Sequence, residues 1–266
     1  QDPAVRDKPP ATPYSRCERT GPVNFSCQLP LAGECLNAAK IKARAKVDFE
    51  GTSYNLSSLL PIELSDNRLT RKKATTAKWN FYAENADAVE NIFDQMVKLR
   101  HGMAQKLGFR TFTEVGYARM HRSDYSPEMV ANFRRQVREH IVPMATTLYE
   151  RQHKRLGIKD LKIYDEEYKF ASGNPKPIGT PEQIVANAAK MYHELSPDTD
   201  AFFTQMQAAN LMDLVNRDGK ATGGYCTYIS KFAAPYIFSN FNGTSGDIDV
   251  LTHEAGHAFQ VWNSRD

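Results

Sequence analysis

No stretch of this 266-residue chain approaches the roughly 18 to 20 consecutive apolar residues that a membrane-spanning helix needs. The first residues, QDPAVRDKPPATPYSRCERT, have no apolar core behind basic residues, so they lack the form of a secretory signal. Cysteine is scarce and lopsided: Cys17, Cys27 and Cys35 come early, and only Cys226 follows. The wide, uneven spacings of the first three fit no zinc template. From residue 37 onward the usage is that of a reduced, cytoplasmic chain. The N-x-S/T sequons at Asn24, Asn55 and Asn242 then read as chance occurrences. Charge of one sign is also lacking, since the net value is only +3, which gives no reason to expect nucleic acid or an acidic membrane as a partner. Internal repeats and low-complexity tracts are missing too.

What is present is the composition of a soluble globular protein, 41% apolar and 24% charged, long enough for one large domain or two ordinary ones. Residues 1–36 are rich in proline and read as an arm distinct from the rest. In KVDFEGTSYNLSSLLP, residues Asp48 to Thr52 read as a short strand and turn, with Leu56, Leu59 and Leu60 as an apolar anchor. Helical patterning follows. Ala83, Val89, Ile92, Phe93, Met96, Leu99 and Met103 recur at three- and four-residue steps, as a buried helix face requires, and Gly108 is a plausible stop. A second long helix is expected from Ser126 and Pro127 to Gly157, kinked or split at Pro143. A third opens at Thr180–Pro181–Glu182. A fourth opens at Ser196–Pro197 in SPDTDAFFTQMQAANLMDLV.

The period then changes from 3.6 to 2. GGYCTYIS (223–230) and APYIFSNF (234–241) are short, aromatic and bounded by glycine and proline, as strands are. NGTSGD is a turn, and a last helix is expected from about Asp247 or Asp249, two acids favoured in a first turn. That helix carries His253, Glu254 and His257 in the spacing H-E-x-x-H. Positions i and i+4 lie one turn apart on the same face, so both imidazoles can reach one ion at about 2.0 to 2.1 Å. Such an ion lowers the pKa of a bound water to roughly 7, and Glu254 can take its proton. Gly256 would make sense where another backbone or a substrate approaches closely. The competing reading is a pair of core histidines with Glu254 in a salt bridge. The two strands, likewise, either pair with an extended peptide or only pack on helices. The other histidines (His101, His121, His140, His153 and His193) stand singly, and Cys226 has no activating histidine nearby in sequence. The basic runs RHGMAQKLGFR and RRQVREH read as solvated helix faces.

GGYCTYISKFAAPYIFSNFNGTSGDIDVLTHEAGHAFQ resembles the active-site segment of the oligoendopeptidase F branch of the thimet-oligopeptidase-like zinc peptidases. KLGFRTFTEVGYARMHRSDYSPEMVANFRRQV and EGTSYNLSSLLP resemble the same branch, and the likeness runs from about residue 45 to the end. The resemblance implies a mainly α, two-lobed zincin-type oligopeptidase with a small β-sheet beside the active-site helix. It implies a channel that admits short unfolded peptides, and one Zn²⁺ per complete molecule bound by His253 and His257, with Glu254 as general base. Gly223, Gly224, Tyr225, Ser239 and Asn240 would line the cleft. On this basis residues 37–107 would be a helical portion of the N-lobe, and 108–266 the first part of the catalytic domain. The branch draws a third zinc ligand, a glutamate, from beyond the motif, but no glutamate follows Glu254, and Asn263 is no substitute. The expectation is therefore the N-terminal part of a longer protein or an interrupted gene product. The alternative is a non-catalytic peptide-binding homologue, or a subunit that needs the missing half or a partner chain.

Overall fold

The computed structural model describes residues 37–264; the arm, Cys17, Cys27, Cys35 and Asn24 lie outside them. The described chain is mainly helical. Its helices are α1 (Leu60–Glu63), α2 (Arg68–Glu84), α3 (Ala86–Lys106), α4 (Phe112–Arg119), α5 (Pro127–Gln136), α6 (Val142–Leu156), α7 (Pro181–Leu195), α8 (Pro197–Ala208) and α9 (Gly246–Asn263). The strands are β1 (Val47–Phe49), β2 (Thr52–Tyr54), β3 (Met212–Val215), β4 (Tyr225–Ile229) and β5 (Ala234–Phe241). None of the described helices is long and apolar enough to cross a membrane.

Local chemistry sets the helix ends. The Ser126 and Ser196 hydroxyls accept the N–H groups of Met129 and Thr199, and Thr180 exchanges a reciprocal pair of bonds with Gln183. Each of these helices has proline in its first turn, where no N–H is needed. Gly108 ends α3 in the left-handed region at φ +79, letting the Phe109 N–H reach the Ala104 carbonyl. The helical stretch before it is interrupted at Asn85, which leaves helical geometry (φ −103, ψ 10). The helix expected from Ser126 is split rather than kinked. A π-helical turn, Val137–Ile141, precedes Pro143, whose missing N–H makes a regular α ladder impossible there.

The fourth helix differs from expectation. It ends at Ala208 instead of running on through LMDLV, and Met212–Val215 is a strand. The stop is Asn210, left-handed at φ +52, with the Leu211 N–H returning to the Met206 carbonyl. Asparagine tolerates this geometry almost as glycine does.

The chain forms two compact units. Residues 85–151 make one, holding α3, α4, α5 and most of α6, with Ala104, Leu107, Phe109 and Val115 as a small core. The boundary expected at 107/108 falls within this unit. The apolar stripe expected on α3 is only partly covered: Met103 is buried, but Phe93 is 65% exposed. Helical spacing aligns such a face; it does not supply the neighbour that covers it.

Residues 40–84 and 152 onward form the other unit. β1 and β2 pair through a tight turn with Glu50 and Gly51 both left-handed, and Val47, Phe49, Leu56, Leu59 and Ala74 bury the hairpin against α2. Three strands form a sheet ordered β3-β5-β4, with β3 parallel and β4 antiparallel to β5. Helices α7, α8 and α9 share the main core with this sheet, including Phe202, Phe203, Met206, Ile237, Leu251, Ala255 and Ala258.

A buried ion cluster ties α2 to the segment after α6. The Asp165 carboxylate, fully buried, accepts from Arg68 and from Arg71, itself 1% exposed, while Arg71 stacks over the Tyr168 ring at 4.0 Å. Burial alone would raise the Asp165 pKa, but the two guanidinium groups outweigh it and hold it below the usual carboxylate range. Asp165→Ala should cost about 3–5 kcal/mol, because it leaves a buried cation unpaired. Lys73→Ala, which breaks the exposed Lys73–Glu50 pair, should cost less than about 1 kcal/mol. Urea unfolding of both variants checks this; equal midpoints would show that the cluster contributes nothing special.

Candidate active site

Strand β5 alternates strictly. Pro235, Ile237, Ser239 and Phe241 are buried, and Ile237 and Phe241 pack into the core beneath α9. Strand and helix are joined by a short turn that Asp247 clamps. Its two carboxylate oxygens accept the N–H groups of Asn242 (2.9 Å) and Gly243 (2.8 Å). Asp247 does sit in the first turn, as expected, but its work is to fix this turn; burial raises its pKa, opposed by the two N–H groups.

The two sequon asparagines within the described residues are both engaged. Asn242 donates to the Ser57 carbonyl and accepts from Thr244, whereas Asn55 accepts from the Ser57 and Ser58 N–H groups and donates to Asn216. These bonds join the segment after β2 to the residue after β3 and to the turn before α9.

On α9 the Nε2 atoms of His253 and His257 lie 3.1 Å apart, and both rings are exposed. Two nitrogens bound at about 2.0 to 2.1 Å to a tetrahedral ion would be separated by about 3.3 Å, so the pair fits one metal. Exposure removes the alternative of a core histidine pair. Glu254, adjacent to His253, is more shielded: it is 9% exposed and has no ion pair with any described residue. Among the described residues, no group of three or more His, Cys, Asp or Glu is placed to hold a metal. Gly256 would not need to be glycine for packing, since an added Cβ would meet open space.

Cys226, on β4, packs toward α9. Burial pushes its thiol pKa up, and the Glu254 carboxylate pushes it further, against a hydrogen bond from the Tyr236 backbone. A thiol so placed is not a nucleophile.

The five expected cleft residues gather at one end of β4 and β5, but in different roles. Gly223 is left-handed (φ +93). A Cβ on Gly224 would lie 2.7 Å from Val250 Cγ1, so glycine is required for strand and helix to meet. Tyr225 is half exposed and stacks on Phe238 with ring centroids 5.0 Å apart. Ser239 is buried. Asn240 does not simply line the cleft: its amide donates to the Ala221 and Gly223 carbonyls, both at 2.8 Å, and so holds the loop that leads into β4.

Lys220, Asp213 and Arg217 complete that hold and were not singled out in the sequence. The Lys220 ammonium is buried, bonding to the Asp213 and Val215 carbonyls and the Asp213 carboxylate, and it lies 4.5 Å from the Phe238 ring centre. The Arg217 hydrogen bonds, with help from Lys220, pull the Asp213 pKa from 3.8 to about 2, although partial burial opposes them. The signal was present as D-x₃-R-x₂-K around a strand end, but nothing local marks it as buried.

Residues 62–266 match the profile of peptidase family M3. The chain belongs to that family. Two curated relatives are an oligoendopeptidase F homolog of Lactococcus lactis subsp. lactis (strain IL1403), 26% identical over 222 residues, and the chromosomal oligoendopeptidase F of Lactococcus lactis subsp. cremoris, 25% identical over 224. Each alignment takes in 81% of this chain but 34% of the relative, so the M3 chain spans about a third of their length. A solved structure of PZ peptidase A with an inhibitor is 52% identical and superposes with a TM-score of 0.88, over 90% of this chain and 43% of that one. The mainly helical fold with small sheets is therefore the fold of this M3 branch.

Two outcomes test the strand anchor. Asn240→Ala should raise amide exchange at Gly223, Gly224 and Tyr225 by about tenfold, the equivalent of one lost hydrogen bond of about 1.4 kcal/mol. Unaltered exchange would show that the amide positions nothing. Because the folded Asp213 pKa is depressed, its contribution to stability is complete above about 3.8 and is lost as pH falls toward about 2. Asp213→Asn should flatten the acid dependence of unfolding in that window.

Proposed function

We propose that this chain carries the first part of the site of a zinc-dependent endopeptidase acting on short unfolded peptides. The convergence of the His253 and His257 Nε2 atoms at 3.1 Å, on an exposed face of the helix beneath an edge strand, supports this most directly. The two imidazoles would hold the metal, and zinc, when bound, supplies Lewis acidity toward a carbonyl and toward water. Membership of a peptidase family agrees with that chemistry.

The chain's own groups divide the remaining work. Glu254 is next to the first histidine and has no ion pair among the described residues, so its carboxylate is free to accept the proton of the attacking water and later to deliver it to the leaving amine. β4 pairs only with β5 among the described strands, leaving its second edge available for the backbone of an extended peptide. Such pairing reads backbone rather than sequence and suits unfolded substrates. A third metal ligand would come from outside the described residues. The single cysteine from residue 37 onward fits a reducing, cytoplasmic setting.

A second reading is a peptide-binding homologue that does not cleave. It is favoured by the lack of a three-ligand group among the described residues. Glu254→Gln separates the two in the complete protein. In the endopeptidase reading it should cut peptide hydrolysis by at least about 10² while zinc content stays unchanged. Full activity in the variant would remove Glu254 as the base, and no hydrolysis in the parent protein would favour the non-cleaving reading.

A further inference from the structure

We propose that the cavity at the Gly223–Gly224 end of β4 is a specificity subsite for an uncharged apolar residue of the bound peptide. The inference rests on the peptide-binding reading above and names what that site selects. The cavity measures about 320 Å³, enough for one large side chain and its backbone, and its walls come from several separate segments. Leu56, Ser57 and Leu60 come from the segment after β2, Tyr82 from α2, and Val250 from α9 one turn before His253. Gly223 and Gly224 form the lip it shares with the free edge of β4. A peptide paired along that edge and running past Tyr225 therefore brings a side chain to the mouth of the cavity. There Gly223 and Gly224 put no side chain of their own in its way.

The wall chemistry selects the occupant. Every charged group at the cavity is already matched. Glu63 accepts from Lys78 on both oxygens, at 3.2 and 3.0 Å, and from Thr75, while Asp247 has both oxygens on backbone N–H groups. An ionic side chain would have to break one of these pairs or enter unpaired, which costs more than an apolar one gains. Leu56, Leu60, Tyr82 and Val250 offer apolar contact. Two polar capacities remain open, the first being Asn240 Oδ1 on the cavity wall, which is buried without a hydrogen-bond partner. Ser239 is 3% exposed, and its hydroxyl has no hydrogen-bond partner among the described residues. Its Oγ lies 3.8 Å from where a Cβ on Gly224 would be, at the lip. These two open groups are suited to a peptide backbone group passing over Gly224.

The test is binding rather than turnover, so it does not need a complete metal site. Capped heptapeptides of otherwise constant sequence, carrying Ala, Leu, Phe, Asp or Lys at one position scanned along the peptide, are titrated against the 266-residue chain by fluorescence anisotropy. At one position Leu or Phe should bind roughly ten- to a hundredfold more tightly than Ala, and Asp and Lys no better than Ala. Ser57→Phe, which places a ring in the cavity, should reduce the apolar gain to less than twofold. Leu60→Ala, which enlarges it, should shift the preference from Leu toward Phe, and it keeps the test decisive should Ser57→Phe misfold. A preference for Asp or Lys, or an apolar gain untouched by both substitutions, would overturn the subsite alone. Failure of every peptide to bind would instead overturn the peptide-binding reading beneath it.

Discussion

Everything at the candidate site depends on how closely α9 lies against the β4–β5 pair. Gly224 permits that approach, because any Cβ would collide with Val250. Ile237, Leu251, Ala255 and Ala258 fill the space beneath with small and medium side chains. Once the helix is pinned this way, its rotation is fixed, and with it the direction of each motif residue. Leu251, Ala255 and Ala258 must face the sheet, so His253 and His257 must face outward, and Glu254 lies between, near Cys226. The separation of exposed imidazoles from a shielded carboxylate is therefore a packing result, not a property of the three residues themselves.

The electrostatics point the same way. Across this unit the buried acids are matched: Asp165 by two arginines, Asp247 by two backbone N–H groups, Glu63 by Lys78 and Thr75; the partly buried Asp213 is matched too, by Arg217 and Lys220. Glu254 differs, being as buried as Glu63 but without an ion pair among the described residues. A largely shielded carboxylate with no ion pair is unusual in a purely structural role.

How much of this was legible in the sequence depended on range. Ser126, Thr180 and Ser196 announce their helices because a cap acts within three residues. His253, Glu254 and His257 are legible for the same reason, being one turn of one helix. Strand β3 was not, since Leu211 to Val215 continue the apolar texture of α8 and only Asn210, adopting a left-handed turn, breaks it. The α3 stripe was over-read, because Phe93 fits the period yet lies exposed. Asn55 and Asn242 looked like chance sequons, and their bonds to Asn216 and Ser57 span over 160 residues. No local pattern encodes a bond of that range.

The same distinction explains why Asn240 changed role. The resemblance placed it only as a residue lining the cleft, and it does border the cavity beside Gly223 and Gly224. In the fold it belongs to the face of β5 away from α9, where its amide can only reach the loop carbonyls of Ala221 and Gly223. Lys220 fixes the same loop from the other side by bonding back to β3. The two anchors need each other's geometry: a left-handed Gly223 followed by an unhindered Gly224 is a flexible entry to a strand and loses the most conformational entropy on ordering. Satisfying the loop carbonyls with an amide, and burying an ammonium beside them, offsets that loss without placing any side chain on the edge itself. The edge of β4, unpaired among the described strands, is thereby kept ordered.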